Sequence, residues 1–153
     1  MTAKAAVVAV LSAAMQIVLF VTVIGVGKLV FGLPGMPQGQ YVAISALIML
    51  ACVPVAVLQS ALSMLMRSFA APIAVAFVGA GVSVVLLMAG PNVAIVFPYA
   101  LIGRATQLGT GTFSDSGIVT ARDVASIVLT AAIVTGGLIS ATTAVLDRRD
   151  ARV

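Results

Sequence analysis

Side chains able to run acid-base, metal or nucleophilic chemistry are scarce in these 153 residues, and the few present sit where such chemistry is hard to assemble. There is no His and no Glu, and the four acidic residues, Asp115, Asp123, Asp147 and Asp150, fall in polar stretches or at the edges of apolar runs. General acid-base catalysis and divalent-metal binding need these groups gathered in one protected place, so neither is expected. The one cysteine, Cys52, lies inside an apolar run; it reads as a small core residue and cannot form an intramolecular disulfide. The hydroxyls of Ser45, Ser60, Ser83, Thr130 and Thr135 have no visible base and suit helix packing better than nucleophilic attack. Lys4 and Lys28 lack the Gly-x-x-x-x-Gly before and the Ser/Thr after that cradle a nucleotide phosphate, so the chain is not expected to hydrolyse ATP. No enzymatic activity and no cofactor of its own are expected.

Three residues inside apolar sequence carry more information. Gln16 and Gln59 each place an amide where it needs a partner, and Pro54 releases a helix carbonyl from its usual donor. All three are expected to face protein or a cavity, either as interhelical packing or along a substrate path. Lys28 can extend its ammonium to a membrane interface. The lack of a carboxylate or imidazole inside the apolar runs weighs against a small proton-coupled carrier.

The elements that must position these residues follow from the composition. With 62% hydrophobic and 8% charged residues and a mean hydropathy of +1.27, a water-soluble core is untenable. No charged residue occurs over 5–27, 29–66, 68–103 or 124–146, each long enough to cross a bilayer core of about 30 Å as a helix. The runs are continuous rather than alternating, which excludes a membrane barrel, and in lipid a helix satisfies its backbone whatever its Val and Ile content. The expected fold is all-α and polytopic: a single transmembrane domain over 1–153 with helices over about 5–30, 41–66, 69–89 and 123–146. The first run outlasts a cleavable signal and is read as a retained helix.

Between the third and fourth spans the apolar stretch over about 93–104 is too short to cross, contains Pro98 and closes at Arg104, so a re-entrant or interfacial segment is expected there. Phe97, Pro98 and Tyr99 in that segment form a candidate outer gate. Asp123, at the start of the last helix, is placed to cap it or to face the positive end of its dipole. Small residues spaced for close helix approach include Gly25 and Gly27, Ala76 with Ala80, Gly79 with Ser83, and Gly136 with Ser140.

The net charge of +4 reads as membrane orientation, not as a nucleic-acid surface. Lys4, Arg67 and the Arg148, Arg149, Arg152 cluster fall at alternate ends of four crossings, which places both termini in the cytoplasm; Lys28, Arg104 and Arg122 oppose them. Arg67, Arg148 and Arg149 are then candidate contacts for a cytoplasmic partner or for anionic lipid.

The stretch Leu62-Ser63-Met64-Leu65-Met66-Arg67-Ser68-Phe69-Ala70-Ala71-Pro72-Ile73-Ala74 resembles the type-2 ABC export permeases, in particular the branch linked to lantibiotic and bacitracin self-protection. Phe97-Pro98-Tyr99 is similar to that family's Pro-aromatic segment in an outer re-entrant region before the last helix, and Leu146-Asp147-Arg148-Arg149-Asp150 to its basic ending. The resemblance implies a permease of a bacterial cytoplasmic membrane that dimerises and moves hydrophobic or amphipathic compounds outward, such as a peptide antibiotic or drug. ATP would be bound by a separate ATP-binding cassette subunit. Such permeases have six helices and a cytoplasmic coupling helix, of which this chain matches the last four; Met1-Thr2-Ala3-Lys4 resembles the entry to the third. A fragment, an alternative start or a reduced homologue is expected. A four-helix membrane scaffold or assembly subunit is the competing reading.

Overall fold

The computed structural model describes residues 2–32, 39–66, 68–90, 94–111 and 118–150, with residues 2, 4, 5, 149 and 150 described by backbone alone. Five helices and no strand occur among them: α1 (Thr2–Leu29), α2 (Gly39–Leu65), α3 (Ala70–Ala89), α4 (Pro98–Gln107) and α5 (Ala121–Asp150). Four are long and apolar enough to cross a membrane, over Ala6–Leu29, Gly39–Leu65, Ala70–Ala89 and Ala121–Arg148. At 1.5 Å per residue the shortest, α3, extends about 30 Å, the thickness of a hydrocarbon core. The chain is a multi-pass, all-α membrane protein. Compared with the sequence-based bounds, α1 starts three residues earlier and α5 continues four residues further; the charges at these ends are compatible with helix that emerges from the apolar layer.

Exposure fits a lipid environment. Val10, Met15, Val18, Val21, Phe77, Val85 and Ile133 are all more than 60% exposed, a pattern no water-soluble helix bundle sustains. Lipid tails are as apolar as these side chains, so contacts between helices rest on close packing and hydrogen bonds rather than on hydrophobic burial. The best-packed region is accordingly built of small and medium residues. Leu47 and Ala51 of α2, Leu101 and Ala105 of α4, Leu108 beyond it, and Ile127 and Ala131 of α5 form one cluster. Leu87, Ala94 and Ala100 form a second.

Three buried hydroxyls are satisfied locally, Ser60 donating to the Ala56 carbonyl, Ser83 to Ala80 and Thr142 to Leu138, each at 2.7 Å, whereas the buried Thr135 hydroxyl has no partner among the described residues. These donations leave the serines as packing residues of the helix surface, without a base beside them among the described residues.

The helix directions can be read from their contacts. Val8 near the start of α1 lines the same cleft as Met66, Ser68 and Ile73, so the start of α1 lies beside the connection between α2 and α3. We call this end of the bundle the terminal face. Gly39, Ala89 and Ala121 lie towards the opposite face. Gln40 and Ile44 at the start of α2 and Val119 just ahead of α5 meet around Gly109, so α5 starts beside the start of α2, runs parallel to it and brings its end back to the terminal face.

Helix α4 is about 15 Å long, half a span. Gly90, at φ +141°, caps α3 with its N–H on the Leu86 carbonyl, and the chain turns back through Ala94 N–H to Gly90 and Phe97 N–H to Ala94. Phe97 is extended, as a residue before proline prefers, and Pro98 occupies the first turn, where its missing N–H costs nothing. The expected segment over 93–104 overlaps α4 at 98–104; residues 91–93 lie outside the described residues.

Candidate functional site

Helix α4 is wedged between α2, α3 and α5, and its register is fixed by close contacts at both ends. Near its start, the ring of Tyr99 lies on Gly79, where a Cβ would come within 2.5 Å of the ring. Further along, Gly103 lies under Leu87, with 2.5 Å between a Cβ there and the Leu87 Cδ1. Beyond its end, Gly109 meets Gln40 and Ile44 at the start of α2. The start of α4 therefore points into the bundle beside the midpoint of α3, and its end returns to the opposite face, antiparallel to α2 and parallel to α3.

At the inward tip, the Gln59 amide of α2 donates a hydrogen bond to the Tyr99 hydroxyl. An amide and a phenol within an apolar layer each need a partner, and these two supply one another. Phe97 packs on Tyr99, ring centroids 5.6 Å apart and planes tilted by 44°. Gln59 also borders a cleft of about 470 Å³ that opens near the terminal face, with Ser60, Ser63, Met66, Ser68 and Phe69. Tyr99 and Phe97 border a second cleft of about 450 Å³, lined almost wholly by apolar groups including Leu58, Val75, Val78 and Val82. The Gln59–Tyr99 contact stands between them.

At the other end of α4, Arg104 forms an ion pair with Asp123 of α5, Nη2 to Oδ1 at 3.1 Å. Asp123 accepts from the Thr120 hydroxyl at 2.6 Å and gives its own N–H back to that hydroxyl at 3.2 Å, which closes the first turn of α5. The expectation that Asp123 caps is thus refined: Thr120 caps, and Asp123, three residues on, completes the pair. Both charges complement helix ends, the arginine at the C-terminus of α4 and the aspartate at the N-terminus of α5.

The sequence-derived candidates separate into three groups. Gln59 comes together with Tyr99 and Phe97, joining the candidate path residue to the candidate gate, and Pro98 starts the helix that carries them. Gln16 is half-buried on α1 and has no side-chain hydrogen bond among the described residues, and Pro54 is fully buried in an uninterrupted α2; neither borders the two clefts. Arg148 is exposed near the end of α5, whereas Arg67 and the Arg149 side chain lie outside the described residues.

Sequence reasoning missed the Arg104–Asp123 pair and the role of Gly79 as a seat for an aromatic ring. Arg104 was visible as the end of an apolar stretch and as a charge opposing the predicted orientation, and Gly79 only as one of several glycines in small-residue pairs. Of these, Gly136 meets nothing within 4 Å, so spacing alone did not distinguish the packed glycine from the open one.

No protein-family model, curated protein or solved structure matches the chain.

Proposed function

We propose that this chain is the membrane-spanning permease part of an ABC exporter, moving hydrophobic or amphipathic compounds outward with energy from a separate ATP-binding subunit. The observation that carries this reading is the half-length helix α4, which enters the bundle ahead of the last span and holds Tyr99 against Gln59 between two clefts. Polar contacts hold helices together in any membrane protein; what favours a path is the place of this one between two clefts, where a group that parts and reforms would be needed. The family resemblance of Leu62–Ala74 and Phe97–Tyr99 supports the same reading, with α4 as a re-entrant outer segment.

In this reading the chain supplies a path and no catalysis. It lies in a bacterial cytoplasmic membrane with both termini cytoplasmic, pairs with a second permease chain, and presents Arg67, Arg148 and Arg149 to its ATP-binding partner or to anionic lipid.

Purification of the tagged chain from its native membrane in mild detergent tests the partner, and deletion of the gene tests the transport. The expected result is a co-purifying ATP-binding cassette protein and increased sensitivity to amphipathic peptides or drugs. A stable membrane complex without any ATPase, together with unchanged sensitivity, would replace this reading with the four-helix scaffold.

A further inference from the structure

The two clefts share helices α2 and α3 but use different faces of them, Gln59 and Ile73 bordering one and Leu58 and Ala74 the other, since successive helix residues point about 100° apart. Their common boundary is where the Gln59 amide meets the Tyr99 hydroxyl. The cleft at Gln59 is lined mainly by apolar groups, Val8, Phe69, Pro72 and Ile73 among them, with Gln59, Ser60, Ser63 and Ser68 as its polar part. Ser60 already donates its proton to Ala56, and Ser63 donates to the Ser60 carbonyl at 2.8 Å, so what each hydroxyl has left to offer is an acceptor lone pair. The neighbouring cleft offers Val75, Val78, Val82 and Phe97, and nothing there could satisfy a polar group except the Tyr99 hydroxyl.

We infer that these clefts are two halves of one site for a single-chain amphiphile, its hydrogen-bond-donating head among Gln59, Ser60 and Ser63 and its alkyl chain along Val75, Val78 and Val82. Tyr99 is the partition between the halves, and Gly79 is the seat that lets its ring lie there. This inference rests on the permease reading and names the class of compound the path accepts. From Val75 to Val82 the apolar half extends about 10 Å along one face of α3, room for most of a medium-length alkyl chain. A side chain at position 79 would occupy the place of the ring, since a Cβ there lies 2.5 and 2.7 Å from the Tyr99 Cε2 and Cδ2. Glycine at 79 is therefore a positioning residue for the partition.

The test uses the purified chain in lipid nanodiscs, without any ATP-binding subunit. The probe is dodecylamine bearing a photoreactive diazirine at the chain end, and its attachment sites are mapped by peptide mass spectrometry. Labelling of the Val75–Val82 segment is expected to rise about fivefold in Tyr99→Ala, with Tyr99→Phe, which keeps the ring and loses only the hydrogen bond, in between. Gly79→Ala, which displaces the ring, is expected to behave like Tyr99→Ala. Joint replacement Ser60→Ala/Ser63→Ala is expected to lower labelling in every background, because it removes the acceptors for the head. Labelling spread over the exposed faces of α1 as for bulk lipid, and indifferent to all of these replacements, would overturn the site. Since no ATPase or export is read, a failure of the permease reading would show in purification and sensitivity while leaving this measurement intact.

Discussion

The Arg104 guanidinium and the Asp123 carboxylate meet at 3.1 Å and tie the end of α4 to the first turn of α5. Their side chains are 9% and 26% exposed, so the pair is shielded more than a surface ion pair, although the aspartate keeps some contact with its surroundings. Removing one partner leaves the other charge without its nearest counterion in a poorly solvated place. Asp123→Asn and Arg104→Gln are each expected to destabilise the folded chain by about 2 kcal/mol, between the surface and buried ranges. An SDS-unfolding titration of both single variants and the double variant gives the coupling. Strictly additive losses would mean that the two residues act independently.

Thr120 closes the same turn by accepting from the Asp123 N–H and donating to its carboxylate. Thr120→Ala is expected to cost about 1 kcal/mol, and Thr120→Ser to recover most of it, because the serine hydroxyl can make both bonds. The measurement is the same titration; equal losses in the two variants would show that the methyl group, not the hydroxyl, matters.

For Gln59 and Tyr99 the expected coupling is smaller. Interhelical hydrogen bonds within membranes contribute about 0.6 kcal/mol on average, since the separated helices find other partners. A cycle built from Gln59→Leu and Tyr99→Phe should therefore give a coupling of about 0.6 kcal/mol while both single variants remain folded. A coupling of zero would remove this contact from the account of the bundle.

Two glycines should respond in opposite directions. Gly136 faces open space, so Gly136→Ala is expected to stabilise α5 by up to about 1 kcal/mol through helix propensity. At Gly103 a Cβ meets the end of Leu87 at 2.5 Å, and Gly103→Ala is expected to cost about 1–3 kcal/mol as Leu87 is forced to repack. Adding Leu87→Ala to Gly103→Ala should remove the clash, leaving only the cost of the missing leucine. If Gly103→Ala alone is neutral, α4 does not approach α3 as closely as described.

Four crossings place Ala3 and Arg148 at one face and Val30 and Ala121 at the other. In a Cys52→Ser background, Ala3→Cys and Arg148→Cys should react with a membrane-impermeant maleimide from the same side of a sealed vesicle, and Val30→Cys and Ala121→Cys from the other. Reaction of Ala3→Cys and Arg148→Cys from opposite sides would require an odd number of crossings.

The four spans were legible in the sequence because spanning is a property of a segment taken alone. A charge-free apolar run of sufficient length must satisfy its backbone within itself, whichever neighbours it later meets. Pro98 was expected inside a segment over about 93–104, and the structure places it in the first turn of α4, where a proline is tolerated. The sequence could also say that Gln16 and Gln59 both needed an environment other than lipid. It could not say that Gln59 would find Tyr99 forty residues away while Gln16 would have no side-chain hydrogen bond among the described residues.

That difference is one of rotation and depth. A helix's apolar surface is nearly uniform here, so composition does not choose which side faces a neighbour, and the hydrophobic effect that orients amphipathic helices in water is silent in lipid. Tertiary structure alone decided that Gly79 receives a ring and Gly136 receives nothing, that Arg104 reaches Asp123, and that the tip of α4 stands between two clefts. The sequence by itself determined how often this chain crosses the membrane. The register of one half-length helix, held by close contacts at Gly79, Gly103 and Gly109, determined where its polar groups could meet.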